Sequence, residues 1–339
     1  MHRHFNAILT AMLCLYGVAV SSGAEPESVP ILYTTDLYHP HDDPDDHFDL
    51  ATLFALREFD IRGIVIDTGT AGVGRPGLVA IQQMMHITRR TVAYATGLTA
   101  NLRSQGDRAE DQPGAAQAGV DLILKALRES PKPVTIFTTG SLRDVAAAYN
   151  RDPVLFKNKV WRLYINAGHT AGEIEWNVKL DPHAFVRILD SPLPVYWVPC
   201  FGTDGFESYW QFRQGDVLET APRVLQNVFV YALTKASPKE RDPIASLTEP
   251  IAQETRQKIG ALPRNMWCTA AFLHAAGRED RTFTFRKVSV HLDNNGTTRI
   301  THGVDGLQVM TFHRGDPAAY AAFMQRTLRD LFAHLGADR

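Results

Sequence analysis

The feature that most constrains this chain is the regular exchange of short apolar runs and helix-period segments between residues 30 and 199. Runs of strand character occupy 30–35, 61–67, 91–95, 133–138, 160–166 and 193–199, with helix-like stretches at 49–57, 77–90, 115–128, 142–150 and 182–189. A strand that rejoins its sheet after a crossover helix runs parallel to the strand before it. The pattern therefore predicts an α/β fold with a mostly parallel central sheet flanked by helices. Asp181-Pro182 marks a helix start, with a carboxylate for the free amides and Pro in the first helical position. Ser141 after Gly140 reads as a second cap. Beyond Phe201 a helical region follows, clearest at 222–235 and 265–276. Segments 282–292 and 297–301 flank Asn294-Asn295-Gly296, a hairpin signal, and a last helix is expected over 317–335. Asn295-Gly296-Thr297 also matches a glycosylation sequon, but the hairpin accounts for the same residues.

Composition narrows the class. The 339 residues are 45% hydrophobic and 21% charged, which excludes wholesale disorder and a multi-span membrane protein. A net charge of −2, from 35 basic and 37 acidic residues, gives no reason to expect a nucleic-acid partner. Residues 1–24 read as a signal peptide: a basic start, an apolar run over 5–20, then Ser22-Gly23-Ala24 for cleavage. The competing reading is an uncleaved anchor, against which the run is short of the ~20 residues of a stable span. Removal of the segment predicts an exported protein, periplasmic or secreted, with no membrane span after processing and a single domain over 25–339. Cys200 and Cys268 then remain of three cysteines. Their spacing leaves a disulfide open, and the oligomeric state stays open between monomer and homo-oligomer.

The chemistry concentrates after the first strand. Positions 36–49 hold six aspartates and three histidines. Carboxylates about 5 Å apart repel by roughly 3 kcal/mol at an effective dielectric of ~20, and no basic neighbour in sequence relieves this. A loop leaving the carboxyl end of a parallel strand is where α/β sheets bind ligands. Two readings stay open from composition: oxygen ligands for Ca²⁺ or Mg²⁺ (with histidines keeping Zn²⁺ in play), or a solvated turn whose aspartates suit a helix start.

The loop and its flanks resemble the inosine–uridine nucleoside hydrolase superfamily. Ile31-Leu32-Tyr33-Thr34-Thr35-Asp36 is similar to that family's first strand and Asp, and Asp45-Asp46 to its Asp-Asp pair opening an apolar helix. In register follow Thr139-Gly140-Ser141-Leu142-Arg143-Asp144-Val145-Ala146, like "G-x-L-T-N-x-A", and Glu175-Trp176-Asn177 to Asp181-Pro182-His183-Ala184, like "E-F-N-x-x-x-D-P-x-A". The likeness covers about residues 30 to 275. It implies hydrolysis of the N-glycosidic bond of a ribonucleoside or related N-riboside, using a Ca²⁺-bound water. It further implies that Asp36 and Asp46 bind the ion with the main-chain carbonyl of Thr139, that Asp36 is the base, and that Asp45, Glu175 and Asn177 hold sugar hydroxyls. Such chemistry needs an activated water, stabilised positive charge on the sugar and a neutralised leaving base. For Glu175 and Asn177 a capping role at the following helix is the bland alternative.

Three departures stand out. The loop from Leu37 to Pro44 is longer than the family's, and its His39, His41, Asp42 and Asp43 either reshape the pocket or form a surface loop. The family's late His-Asp pair is replaced by Trp267-Cys268, read as the start of the 265–276 helix; Trp267 can stack on a base but cannot protonate it, and a thiol suits a hard cation poorly. Asp204 or Asp242 would be substitutes for the lost carboxylate, while core packing is the plain alternative for Trp267 and Cys268. Third, Arg143-Asp144 replaces Thr-Asn. Two rivals follow: a catalytically weakened ribose-binding or nucleoside-binding protein, and a hydrolase of a different glycoside or ester.

Overall fold

The computed structural model describes residues 28–40, 44–68, 76–301 and 306–336. The segment read as an export signal, and His41, Asp42 and Asp43 of the acidic loop, lie outside them.

Nine strands form one sheet: β1 (Val29–Thr35), β2 (Phe59–Ile66), β3 (Tyr94–Thr96), β4 (Val134–Thr138), β5 (Val160–Asn166), β6 (Val195–Val198), β9 (Phe283–Leu292), β10 (Thr298–Thr301) and β11 (Leu307–Arg314). The other two, β7 (Trp210–Arg213) and β8 (Pro263–Met266), pair antiparallel in the helical region. The large sheet runs in the order β10-β9-β11-β6-β5-β4-β1-β2-β3. From β11 to β3 all neighbours are parallel, while β9 is antiparallel to both β10 and β11. Both faces are covered, so alternate residues feed two cores. Along β1, Ile31 and Tyr33 join Phe48, Phe137, Phe229 and Phe272 on one side, and Leu32 joins Ile136, Leu163 and Trp197 on the other.

Several expectations are corrected. The first helix spans Asp45–Ala55 and so contains Asp45 and Asp46 in its first turn, where carboxylates meet the positive end of the helix. The 265–276 segment divides: Asn265 and Met266 complete β8, and the helix is Thr269–Ala275 with Cys268 at its cap. Arg143 opens the helix that Ser141 was expected to cap; the cap position is Leu142, although the Ser141 hydroxyl still accepts the Arg143 amide at 3.3 Å. The hairpin at Asn294-Asn295-Gly296 forms, with Gly296 at φ 88°. Strand β11 was not anticipated; it joins the hairpin to β6 and thereby to the main sheet.

The strand order reverses between β1 and β4. β1 is followed outward by β2 and β3 on one side, β4 by β5 and β6 on the other. Loops leaving this switch point diverge and open a crevice at the carboxyl ends. One flank is braced by Arg143, 1% exposed. It donates to Asp67 at 3.1 Å, Asp181 at 3.1 Å, Asn101 at 2.9 Å and the carbonyls of Leu98 and Leu180. These bonds tie the end of β2 to the helix starts at Arg143 and Pro182. Truncating a partner in a buried ion pair leaves the other charge stranded. Arg143→Met is expected to destabilise the protein by about 3–5 kcal/mol in urea unfolding; an unchanged midpoint would remove Arg143 as the brace. Beside it, burial pushes the Asp144 carboxyl up to about 7, with the Asp67 charge adding to the rise and the Leu98 amide, Arg143 and Arg151 opposing it. The folded state thus holds a proton that the unfolded chain has released, and stability is lost as pH rises from about 4 through about 7. Asp144→Asn keeps an acceptor for the Leu98 amide, so its melting temperature should fall less between pH 5 and pH 8 than that of the parent; parallel curves would refute this.

Candidate functional site

Asp36 leaves the end of β1 and Thr139 the end of β4, the two strands at the switch point. Asp45 and Asp46 face them from the first helical turn after the loop. Asp36, Asp45, Asp46, Thr139, Glu175, Trp176, Asn177, Cys200, Phe201, Trp267 and Cys268 line one cavity of about 240 Å³. Every site residue expected from the sequence is therefore in one place. A larger cleft of about 360 Å³ lies between the helices Gln214–Leu218 and Gln253–Ala261 and contains none of the strand-end carboxylates.

Local hydrogen bonds fix the acidic side. Asp46 accepts the Thr35 hydroxyl at 2.7 Å and the Thr139 hydroxyl at 3.2 Å, so the turn after β4 and the helix start are joined through one carboxylate. Gly140 lets the two loops meet: a Cβ there would stand 2.7 Å from the Asp36 nitrogen and 2.9 Å from its Cβ. Burial, then the charges of Asp46, Asp67 and Asp45, hold the Asp36 carboxyl well above the usual carboxylate range. Asp49, one helical turn from Asp45 and Asp46, is 1% exposed. Its carboxyl is raised by burial and then by Asp46, and its Oδ1 has no hydrogen-bond partner among the described residues. Cys200 and Cys268 are both free thiols, and burial, with the neighbouring carboxylates, pushes both well up.

The donor set bears on a metal. Asp36, Asp46 and the Thr139 carbonyl are hard oxygens on one cavity, and no lysine, arginine or histidine is among its described lining residues. A divalent cation would relieve the repulsion that raises Asp36. Among the described residues no three His, Cys, Asp or Glu side chains close on one point. The residues therefore fit a hard cation that completes its shell with water and substrate oxygens, as Ca²⁺ and Mg²⁺ do. Cys268 offers only a soft thiol there. Neither Asp204 nor Asp242 lines the cavity; Asp242 instead accepts the amides of Ile244 and Ala245 at 2.8 and 2.9 Å.

On the opposite wall, Glu175 accepts the amides of Gly168 at 2.8 Å, Asn177 at 3.0 Å and Val178 at 3.4 Å. Glu175 thus caps the short helix Trp176–Leu180 while still lining the cavity; the helix that starts at Pro182, which it was alternatively expected to serve, is capped by Asp181, whose carboxylate accepts the Ala184 amide at 3.1 Å. Asn177 donates to the carbonyls of Asn166 at 3.0 Å and Thr139 at 3.5 Å, which ties this wall to the strand ends. His39 is directed elsewhere, its Nε2 lying 2.6 Å from the Ala236 carbonyl and its ring stacked on Tyr231. Trp176, Cys200 and Phe201 are lining residues that sequence reasoning did not single out for the site. Their signal was position: Trp176 lies between Glu175 and Asn177, and the other two follow β6.

Comparisons with known proteins agree with this architecture. The inosine-uridine preferring nucleoside hydrolase of Bacillus anthracis superposes with a TM-score of 0.54 at 14% identity, covering 89% of this chain and 99% of that one. An inosine-guanosine nucleoside hydrolase gives 0.59 at 16% identity, covering 90% and 98%. At such identities the likeness concerns the fold. The pyrimidine-specific ribonucleoside hydrolases RihA of Citrobacter koseri and Escherichia coli O1:K1 are 26% and 27% identical over 189 residues, 50% of this chain. The chain spans 59% of the length of these relatives. The sequence model for inosine-uridine preferring nucleoside hydrolases matches residues 41–308, a stretch that begins after Asp36 and takes in the rest of the cavity. The chain belongs to the inosine–uridine preferring nucleoside hydrolase family.

Proposed function

We propose that this protein hydrolyses the N-glycosidic bond of a ribonucleoside or related N-riboside, with a divalent cation, Ca²⁺ first among them, at the ends of β1 and β4. One observation carries this: Asp36, Asp45, Asp46 and Thr139 converge on a single cavity at the switch point of the sheet, opposite Asn177 and Glu175. Members of the family generally depend on a metal, which suits the donor set.

In this mechanism Asp36, Asp46 and the Thr139 carbonyl would hold the ion, which when bound would supply Lewis-acid activation of water and an anchor for sugar hydroxyls. Asp36 takes the proton of the attacking water. Burial and the neighbouring carboxylates hold the Asp36 carboxyl above its ordinary range, and a cation beside it would favour the ionised form that accepts the proton. Asp45 accepts a hydrogen bond from a ribose hydroxyl, and Asn177 and the remaining lone pairs of Glu175 face the others. Carboxylates around the ring also stabilise positive charge developing at C1′. Trp267 offers an aromatic face to the base. A second reading, a sugar-binding protein with little catalysis, is favoured by Trp267-Cys268, which supply neither the acid nor the hard ligand of the family's late pair.

Two outcomes are expected. A cation that binds only the folded state adds about 2.7 kcal/mol at 100-fold excess over its Kd, so Ca²⁺ should raise the melting temperature and a chelator lower it; indifference to both would count against the site. Asp36→Asn should lower release of free base from inosine, uridine or adenosine by about 10²–10⁴-fold with the fold intact by circular dichroism. Undiminished release would remove Asp36 as the base, and no release by the parent protein, with ribose still bound, would favour the binding protein.

A further inference from the structure

Resting on the hydrolase reading, we propose that Arg314, at the end of the last strand of the sheet, is a positioning residue for the substrate. It clamps the 199–209 loop, so that Cys200 and Phe201, and through Cys200 also Glu175, are held in place on the sugar side of the cavity.

The loops that leave the neighbouring strands β5 and β6 move as one unit because they are bonded to each other. The Cys200 amide donates to the Gly168 carbonyl at 3.0 Å, the Thr170 amide to the Phe201 carbonyl at 3.1 Å, and the Thr203 amide to the Thr170 hydroxyl at 3.3 Å. The Cys200 thiol donates to the Glu175 carboxylate, which also accepts the Gly168 amide at 2.8 Å. Phe201 and Tyr209 pack against Trp267 with centroids 5.9 and 5.6 Å apart, so the three rings form an aromatic wall. A shift of the 199–209 loop therefore carries Glu175 and Phe201 with it, and both line the cavity.

The far part of this loop is held from outside, by the last strand and the last helix. The Arg314 amide donates to the Gly205 carbonyl at 2.9 Å, its Nη1 to the Tyr209 carbonyl at 2.6 Å and its Nη2 to the Glu207 carboxylate at 2.5 Å. Gly205 lies so close on β11 that a Cβ would stand 2.4 Å from the Arg314 carbonyl. Tyr320, on the helix Pro317–Ala333, has its ring centroid 5.6 Å from the guanidinium carbon and donates to the Ser208 carbonyl at 3.0 Å. Arg314 is only 8% exposed and does not line the cavity, so it acts on the site through the loop. The family match ends at residue 308, before Arg314, and this clamp lies outside the stretch it covers.

The clamp and the chemistry stand on different strands. Asp36 and Thr139 follow β1 and β4, whereas Arg314 reaches only the loop after β6. Loosening that loop weakens the grip on the sugar in the ground state and the transition state alike, which raises KM and leaves kcat nearly unchanged. A mere folding defect does the reverse: it lowers the active fraction, and with it the apparent kcat, while the molecules that remain folded keep the parent KM.

The test measures kcat and KM separately on the full chain, with Ca²⁺ present and inosine and uridine as probes, for the parent, Arg314→Met, Arg314→Lys and Glu207→Gln. Arg314→Met is expected to raise KM about tenfold with kcat within about threefold of the parent, and Glu207→Gln to raise KM about threefold. Arg314→Lys, which keeps a charge beside Glu207, is expected to recover most of the rise. An unchanged KM in Arg314→Met, or a lower kcat at unchanged KM, would overturn the inference and leave the hydrolase standing. Should Arg314→Met fail to fold, Glu207→Gln decides by the same split. If the parent releases no base, the hydrolase reading falls and the clamp is read from ribose binding by titration calorimetry. Binding about tenfold weaker in Arg314→Met then supports the clamp; equal binding, or none by the parent, overturns it.

Discussion

The structure turns on where negative charge is gathered and how it is offset. Parallel strands bring Asp36, Asp67 and the Thr139 turn to one edge of the sheet, and the following helices bring Asp45, Asp46 and Asp181. Buried carboxylates this close cannot all ionise without a partner. On one flank the partner is built in, because Arg143 meets Asp67 and Asp181 with both side chains almost wholly buried. On the other flank, around Asp36 and Asp46, no described lining residue carries positive charge. The same fold thus places a buried ion-paired cluster on one flank and the cavity-lining carboxylates on the other.

Arg143 shows how a departure from a family pattern can be structural. Its guanidinium reaches five acceptors that include two loops and two helix starts, so the arginine holds the frame without touching the cavity. Asp144, its neighbour, accepts the amide of Leu98, whose carbonyl Arg143 bonds, and packs against Gly97, where a Cβ would fall 2.1 Å from the carboxylate. That close packing explains both the burial and the raised proton affinity of Asp144. The brace leaves the Thr139 carbonyl where the turn after β4 puts it, which is why the change of sequence does not disturb the donor set.

Much of this was legible in the amino-acid order. Short apolar runs separated by helical segments pointed to the parallel strands, because strands buried on both faces read as continuous rather than alternating apolar stretches. The seven expected site residues share a cavity because each sits just past a strand or at the cap or first turn of a helix, positions tied to topology rather than to long-range packing. What was not legible depended on partners distant in the chain. Asn265 and Met266 form a strand only because residues 210–211 lie alongside. Leu307–Arg314 reads as an ordinary polar–apolar alternation until β6 and β9 flank it. The aromatic wall likewise joins Phe201 and Tyr209 to Trp267, separated in sequence by a whole helical region.

Trp267 and Cys268 then acquire a joint meaning. They stand in the short connection between β8 and the Thr269 helix, so one adjacent pair reaches both the aromatic wall and the acidic floor. The indole of Trp267 supplies a stacking face and no ionisable proton. The Cys268 thiol, pushed well up by burial, adds no negative charge there, and the buried Asp49 carboxyl beside it is raised in turn. One adjacent pair therefore closes the pocket with an aromatic face and a neutral thiol, and leaves its acidic side to Asp36, Asp45 and Asp46.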